Sequence, residues 1–210
     1  MQKNNNNTMV IAAIGLVAAF ALLSSDKKTV SKPFTPKISG GAVEFIVKMY
    51  PFALAASRLF PGVPWQLFLT FSGLESGFGK HAPEWNFFGT KPGKNYKGKT
   101  QLLTTHEILP KKTGYNFPVV ISVTDSVAHP GKYDWKVKDN FRAYASPLDA
   151  FKDFGAFVSK GCYKKALTLP TINEKIASIK NCGYATDPNY IAKQLKLVAL
   201  VEQTVKKFVN

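Results

Sequence analysis

Glu75 stands in the run Gly73-Leu74-Glu75-Ser76-Gly77-Phe78-Gly79, where an apolar segment gives way to glycine. Leu67, Phe68, Phe71 and Leu74 recur at helical spacing, so the segment ahead of Glu75 is expected to be an amphipathic helix packed into a core. Gly77 and Gly79 would end that helix and let the backbone turn tightly. A carboxyl group at a buried helix end, beside a turn with little side-chain bulk, is placed to line a cleft. Burial would raise its pKa and keep it protonated, the state a general acid needs. The same local pattern also suits an ordinary solvated glutamate at a helix end.

The elements that must hold this carboxylate follow from the flanking sequence. Residues 41–59 read as a helix with Pro51 as a kink or break, and Pro61-Gly62-Val63-Pro64 as a turn. Pro64 suits the first position of the Glu75 helix. From about Lys99 to Tyr144 the period shifts toward two: 101–108, 117–123 and 135–144 read as strands, divided by Pro110, Gly114 and His129-Pro130-Gly131. Ser146 caps a helix with Pro147 at its first position and Asp149 bonding back, running to about Ser159. Further helices are expected over 171–181, ending at Gly183, and after Asp187-Pro188, with Asp187 as N-cap and Ile191, Leu195 and Val198 on one face. The order is helices, a small antiparallel insertion, then helices. That is an α+β domain of two lobes, and a groove between lobes suits an extended polymer.

The 210 residues suffice for one membrane segment and one compact domain, and 16 Phe, 8 Tyr and 3 Trp can build a sizeable core. The net charge of +15 favours polyanionic surroundings. The lysines are scattered and no basic run interleaved with aromatics resembles a nucleic-acid module, so the expected partner is an anionic envelope surface and not nucleic acid. Residues 9–23 form an unbroken apolar run, short of the ~20 residues that cross a bilayer comfortably. Residues 1–24 are therefore read as a signal peptide or a short membrane anchor, 25–40 as a Ser-, Lys- and Pro-rich linker, and 41–210 as the folded domain. An exported or membrane-anchored protein facing the periplasm or cell wall follows.

Cys162 and Cys182 flank a helical segment containing Pro170, so spacing does not reveal their proximity; two inert, partly buried thiols are the expectation, although an exported location would permit pairing. His81, His106 and His129 are isolated, no Cys/His cluster has metal-ligand spacing, and neither a metal nor another cofactor is expected.

Several motifs together resemble the bacterial peptidoglycan glucosaminidases, family 73 of the glycoside hydrolases, to which the flagellar rod-assembly hydrolase domain belongs. They are Glu75-Ser76-Gly77-Phe78-Gly79, Asn86-Phe87-Phe88-Gly89-Thr90-Lys91, Tyr96-Lys97-Gly98-Lys99, Phe141-Arg142-Ala143-Tyr144-Ala145-Ser146-Pro147, Tyr163-Lys164-Lys165-Ala166-Leu167 and Gly183-Tyr184-Ala185-Thr186-Asp187-Pro188-Asn189-Tyr190. They run in order across roughly residues 42–200. The resemblance implies a lysozyme-like, mainly helical core with a small β-lobe flanking the substrate cleft. It puts Glu75 on the general acid. Thr104-Thr105-His106-Glu107 resembles the stretch that carries a second glutamate, so Glu107 would activate water or stabilise an oxocarbenium-like transition state; Asp125, Asp134 and Glu84 are rivals. Tyr184 matches a cleft tyrosine that could orient the substrate acetamido group. Phe78, Asn86, Phe88 and Tyr190 are the substrate-binding candidates. Phe78 stands where the family often has Trp, and Phe87 where it often has Leu. The segment from Pro110 to Lys132 matches no family pattern.

The implied reaction is hydrolysis of the β-1,4 bond after N-acetylglucosamine in peptidoglycan glycan strands. A second carboxylate ~6.5–9.5 Å from the acid would leave room for a water and invert the anomeric centre. With that carboxylate far off, the substrate's own 2-acetamido oxygen could attack. Three alternatives stay open: a lytic transglycosylase using Glu75 alone, a non-catalytic wall-binding or assembly protein, and a virion-associated lysis or entry component.

Overall fold

A computed structural model describes residues 41–209. The expected signal peptide or anchor and the linker, residues 1–40, lie outside the described residues. Within them, no helix is long and apolar enough to cross a membrane.

The helical lobe is built around α2 (Trp65–Ser76). Leu67 to Gly73 are all buried, so this helix is covered on nearly every side, as a continuous apolar run requires. It packs against α1 (Gly41–Leu59), α3 (Pro147–Val158) and α6 (Tyr190–Phe208). Pro51 lies inside α1 without ending it, on the exposed side. Pro64 is the N-cap of α2 and not its first helical residue, with extended φ/ψ. Aromatic rings fill the space between helices: Phe68 meets Phe151 and Phe154, and Phe71 meets Phe154, Tyr184 and Tyr190, at centroid distances of 5.0 to 6.0 Å. Such offset and edge-on pairs suit the ring quadrupoles.

The β-lobe is a three-stranded antiparallel sheet of β1 (Thr100–Leu109), β2 (Val119–Asp125) and β3 (Tyr133–Arg142), in the order β1-β3-β2. β2 starts two residues later than expected, past Pro118, which has no amide hydrogen for a ladder. The register pairs Gln101 with Phe141, Leu103 with Asp139, Thr105 with Val137 and Glu107 with Trp135, which sets these side chains on one face. Trp135, Val137 and Phe141 on that face are buried, while β2 is an exposed edge.

The C-terminal half corrects three expectations. Ser146 caps α3 by accepting from the Asp149 amide, as read, but the helix over 171–181 is shorter. α5 (Ile172–Ile179) opens on a reciprocal Thr171–Glu174 capping box and runs into a wide turn over Lys180–Tyr184, where Gly183 takes φ +88°. Asp187 is not the N-cap of α6. Asn189 is, and Asp187 instead accepts from the Asn189 amide at 2.8 Å and from Lys193 at 2.6 Å, while its carbonyl accepts from the Tyr190 amide at 3.2 Å to close a turn ahead of the helix. Cys162 and Cys182 are not free thiols: they form a disulfide. The short helix α4 (Lys164–Leu167) and α5 fold back so that the two Cα atoms lie 5.8 Å apart.

Candidate active site

Glu75 occupies the last turn of α2. The turn that follows is shaped by two glycines. Gly77 adopts φ +59° and closes the helix, and the Phe78 amide donates back to Gly73 O at 2.8 Å. Gly73 itself is needed for close approach: a Cβ there would sit 3.1 Å from the Phe78 ring. Ser76 Oγ donates to Ser72 O and accepts from the Gly79 amide at 2.7 Å, which secures the turn. Phe78 has φ +58° and lies edge-on to Phe45, half-buried.

Glu75 is exposed to solvent, yet protein packs densely around its carboxyl group. That burial raises its pKa above the ordinary value, and a hydrogen bond from Tyr190 opposes the rise in part. Its place at the negative end of the helix dipole acts in the same direction as burial. Tyr190 Oη donates to Glu75 Oε1 at 2.7 Å and accepts from Gln194 Nε2 at 3.0 Å. Burial pushes the Tyr190 and Tyr184 hydroxyls far above their ordinary values, so both stay neutral.

The Glu75 charge also acts on Tyr184, in the same direction as burial. Its ring is enclosed by Phe71, Phe154, Phe157, Tyr163 and Tyr190, and its hydroxyl is buried without a hydrogen-bond partner. Tyr190 is buried against Glu75, so it touches the carboxylate and is closed to solvent.

Two other expected substrate contacts differ from the sequence reading. Asn86 is buried and committed to backbone: its amide nitrogen donates to Thr90 O and Arg142 O, and its oxygen accepts from the Thr90 amide. Phe88 is buried and stacked on Phe154 at 4.4 Å. Both hold the site from behind. Asn86, with Gln101 donating to Pro83 O and Arg142 O, knits the base of the β-lobe to the loop after α2. Asp153 on α3 completes the joint by accepting from Arg142 and from Tyr144 Oη, and Arg142 lies over the Tyr96 ring at 4.4 Å.

Glu107 sits on the inner face of the sheet, mostly buried, in an ion pair with Lys91 at 2.7 Å. The same ammonium pairs with Asp139 at 2.9 Å and lies over the Phe141 and Phe117 rings. These partners hold the Lys91 pKa above its ordinary value against the opposing effect of burial. At neutral pH two carboxylates against one ammonium leave this patch net negative. Of the rivals to Glu107, Asp125 is exposed at a strand end beside Lys112, Asp134 pairs across to Ile108 and Thr124 on the other face, and Glu84 pairs with Lys99 in a left-handed turn. Gln194, Lys91 and Asp139 were not singled out from sequence. Gln194 had a signal: it is an amide four residues after Tyr190 on the apolar face of the last helix.

Comparison with known proteins agrees with this architecture. The family described as mannosyl-glycoprotein endo-beta-N-acetylglucosaminidase matches residues 53–203. The peptidoglycan hydrolase FlgJ of Salmonella typhimurium is 30% identical over 175 residues, 79% of this chain and 47% of the relative. The FlgJ of Vibrio cholerae is 30% identical over 199 residues, 90% of this chain and 51% of the relative. The chain thus spans about half the length of the curated relatives it matches. The solved glycoside hydrolase domain of Salmonella typhimurium FlgJ superposes with a TM-score of 0.59 at 28% identity, covering 79% of this chain and 91% of that domain.

Proposed function

This chain belongs to the glucosaminidase family of glycoside hydrolases, and we propose that it hydrolyses the β-1,4 bond after N-acetylglucosamine in peptidoglycan, with Glu75 as general acid. The observation that carries the reading is the setting of Glu75. It is a solvent-exposed carboxyl group at the end of α2 whose pKa is raised by the protein packed around it, with a buried phenol donating to its Oε1. The curated relatives are named peptidoglycan hydrolases, which supports the substrate.

In the reaction the Glu75 proton passes to the glycosidic oxygen. The bond from that oxygen to the anomeric carbon breaks, and its electron pair leaves with the departing sugar. Positive charge then develops on the ring. The Glu107–Asp139–Lys91 patch supplies net negative charge on the lobe side, with Glu107 the second carboxylate that activates water or stabilises this charge. For Tyr184 to offer its hydroxyl to the substrate acetamido group, substrate must open the packing that buries it; its lack of a partner within the fold is the support for that role. The site then works in the periplasm or cell wall, and the basic surface favours an anionic envelope. The N-terminal apolar run is proposed to serve as signal peptide or anchor.

Product analysis tests the reaction. The protein is incubated with purified peptidoglycan, and the products are reduced and identified by mass spectrometry. Reduced N-acetylglucosamine ends are expected. Anhydro-muramic ends would assign the protein to the transglycosylases, and no cleavage by a folded protein that sediments with the wall would assign it a binding role.

A further inference from the structure

Resting on that reading of Glu75, we propose that Gln194 is a positioning residue, which fixes the direction of a three-member hydrogen-bond chain so that Glu75 carries its deliverable proton on Oε2.

The argument is one of counting protons. Tyr190 has one hydroxyl hydrogen. Gln194 Nε2 donates to Tyr190 Oη at 3.0 Å, so the phenol oxygen is already an acceptor and its single hydrogen is directed to Glu75 Oε1 at 2.7 Å. Glu75 Oε1 is therefore an acceptor, and the acid proton belongs on Oε2. Turned over, the Gln194 amide would present its oxygen to the phenol and take that hydrogen. Tyr190 would then accept from Glu75, and the acid proton would be aimed into the core, away from any glycosidic oxygen. Gln194 is fully buried, its reach is set by the i,i+4 spacing on α6, and its own oxygen is left without a hydrogen-bond partner. A buried amide kept with one end unsatisfied is costly to the fold, and its satisfied end serves the phenol that holds Glu75.

The chain acts on both states of the acid. Donation from Gln194 polarises the phenol and makes it a stronger donor, which steadies the carboxylate left after proton transfer. The titratable groups around Glu75 are the phenols of Tyr190 on α6 and Tyr184 on the wide turn, with Tyr163 behind Tyr184. His81 and Lys80 belong to the loop that follows α2, with His81 against Gly77.

The test is a cycle of Gln194→Met, Tyr190→Phe and the double variant, with Glu75→Gln as reference. Initial rates on dye-labelled peptidoglycan are measured across pH at limiting and saturating substrate. Gln194→Met fills nearly the same volume, so packing is retained; Gln194→Asn, one methylene too short to reach the phenol, is the second variant. Each Gln194 variant should raise the pH at which the basic limb falls by about half a unit and lower the saturating rate about two- to tenfold, leaving the half-saturating substrate concentration unchanged. The double variant should match Tyr190→Phe alone, because Gln194 acts only through the phenol. An unshifted basic limb in a folded Gln194 variant, or a shift that adds in full to that of Tyr190→Phe, would overturn the proposal while leaving Glu75 intact. Activity retained by Glu75→Gln would instead overturn the reading on which it rests.

Discussion

Tyr190 Oη donates a 2.7 Å hydrogen bond to Glu75 Oε1, joining the first residue of α6 to the last turn of α2 across 115 positions of sequence. The bond sets two effects against each other at one carboxyl group. Burial raises the pKa of the acid, and the phenol, by donating to the carboxylate, lowers it. A general acid needs both, since it must be protonated before the bond breaks and tolerable as an anion afterwards.

The first prediction concerns stability and pH. Because the folded pKa of Glu75 is raised, the folded state binds its proton more tightly than the unfolded chain does. The Glu75 contribution to stability is therefore fully present below the ordinary value of 4.5 and is lost as pH rises through the raised folded pKa. Glu75→Gln should remove this dependence, raising the melting temperature near neutral pH and leaving it nearly unchanged below pH ~4. Thermal melts of both proteins between acid and neutral pH check this. Equal melting temperatures at every pH would contradict it.

Tyr184→Phe should separate activity from stability. The hydroxyl is buried and unpartnered in the fold, so its removal should leave stability unchanged or raise it by about 1 kcal/mol. If the hydroxyl meets the substrate acetamido group, turnover should fall by about tenfold or more. Denaturant titration and initial rates on the same preparation measure the two effects. A loss of stability with unchanged rate would reverse the assignment.

Lys91→Met should strand two mostly buried carboxylates, Glu107 and Asp139, together with the space over the Phe117 and Phe141 rings. A destabilisation of about 1–3 kcal/mol at neutral pH is expected, smaller than for a fully buried pair because all three side chains keep some solvent contact. The Lys91 pKa is raised in the fold, so the stability it gives the native chain is lost as pH rises through that folded value. Urea melts of both proteins at neutral and alkaline pH test this, and an equal gap between them at both would contradict it.

The disulfide closes a loop with a sequence separation of 20 and lies two residues ahead of Tyr184. Chain-entropy arguments give about 3 kcal/mol for a loop of that size. Replacing both cysteines by alanine should lower stability by that order and loosen the turn that carries Tyr184, so activity at 37 °C should fall as well. Thiol titration of the unfolded wild-type protein should find no free sulfhydryl. Two reactive thiols would contradict the bond.

Much of this arrangement was legible in the residues themselves. Helical spacing ahead of Glu75 and glycines after it located the end of α2 and its turn, and alternation located all three strands within two residues or so of their ends. What stayed hidden depends on contacts distant in sequence. The ion pairs of Lys91 depend on the β1–β3 register, which sets Glu107 and Asp139 on one face four residues apart along the ladder. Asn86 and Phe88 carry motif positions that suggest substrate contact, and only packing reveals that their side chains are spent on backbone and on Phe154. Cysteine spacing is silent on pairing because the fold-back of α4 on α5 brings the sulfurs together. Gln194 is the instructive case, since a lone amide on an apolar helix face was visible and its meaning required the phenol beside it.

The most direct test of the central claim is the turnover of peptidoglycan by Glu75→Gln beside wild type, with folding and wall binding followed in the same samples. A glutamine keeps the shape and the acceptor for Tyr190 and cannot deliver the proton. A fall in rate of about 10²–10⁴-fold, with fold and wall binding unchanged, is the predicted result. A variant that still cleaves glycan strands at a rate within a few-fold of wild type would contradict the assignment of Glu75 as the acid.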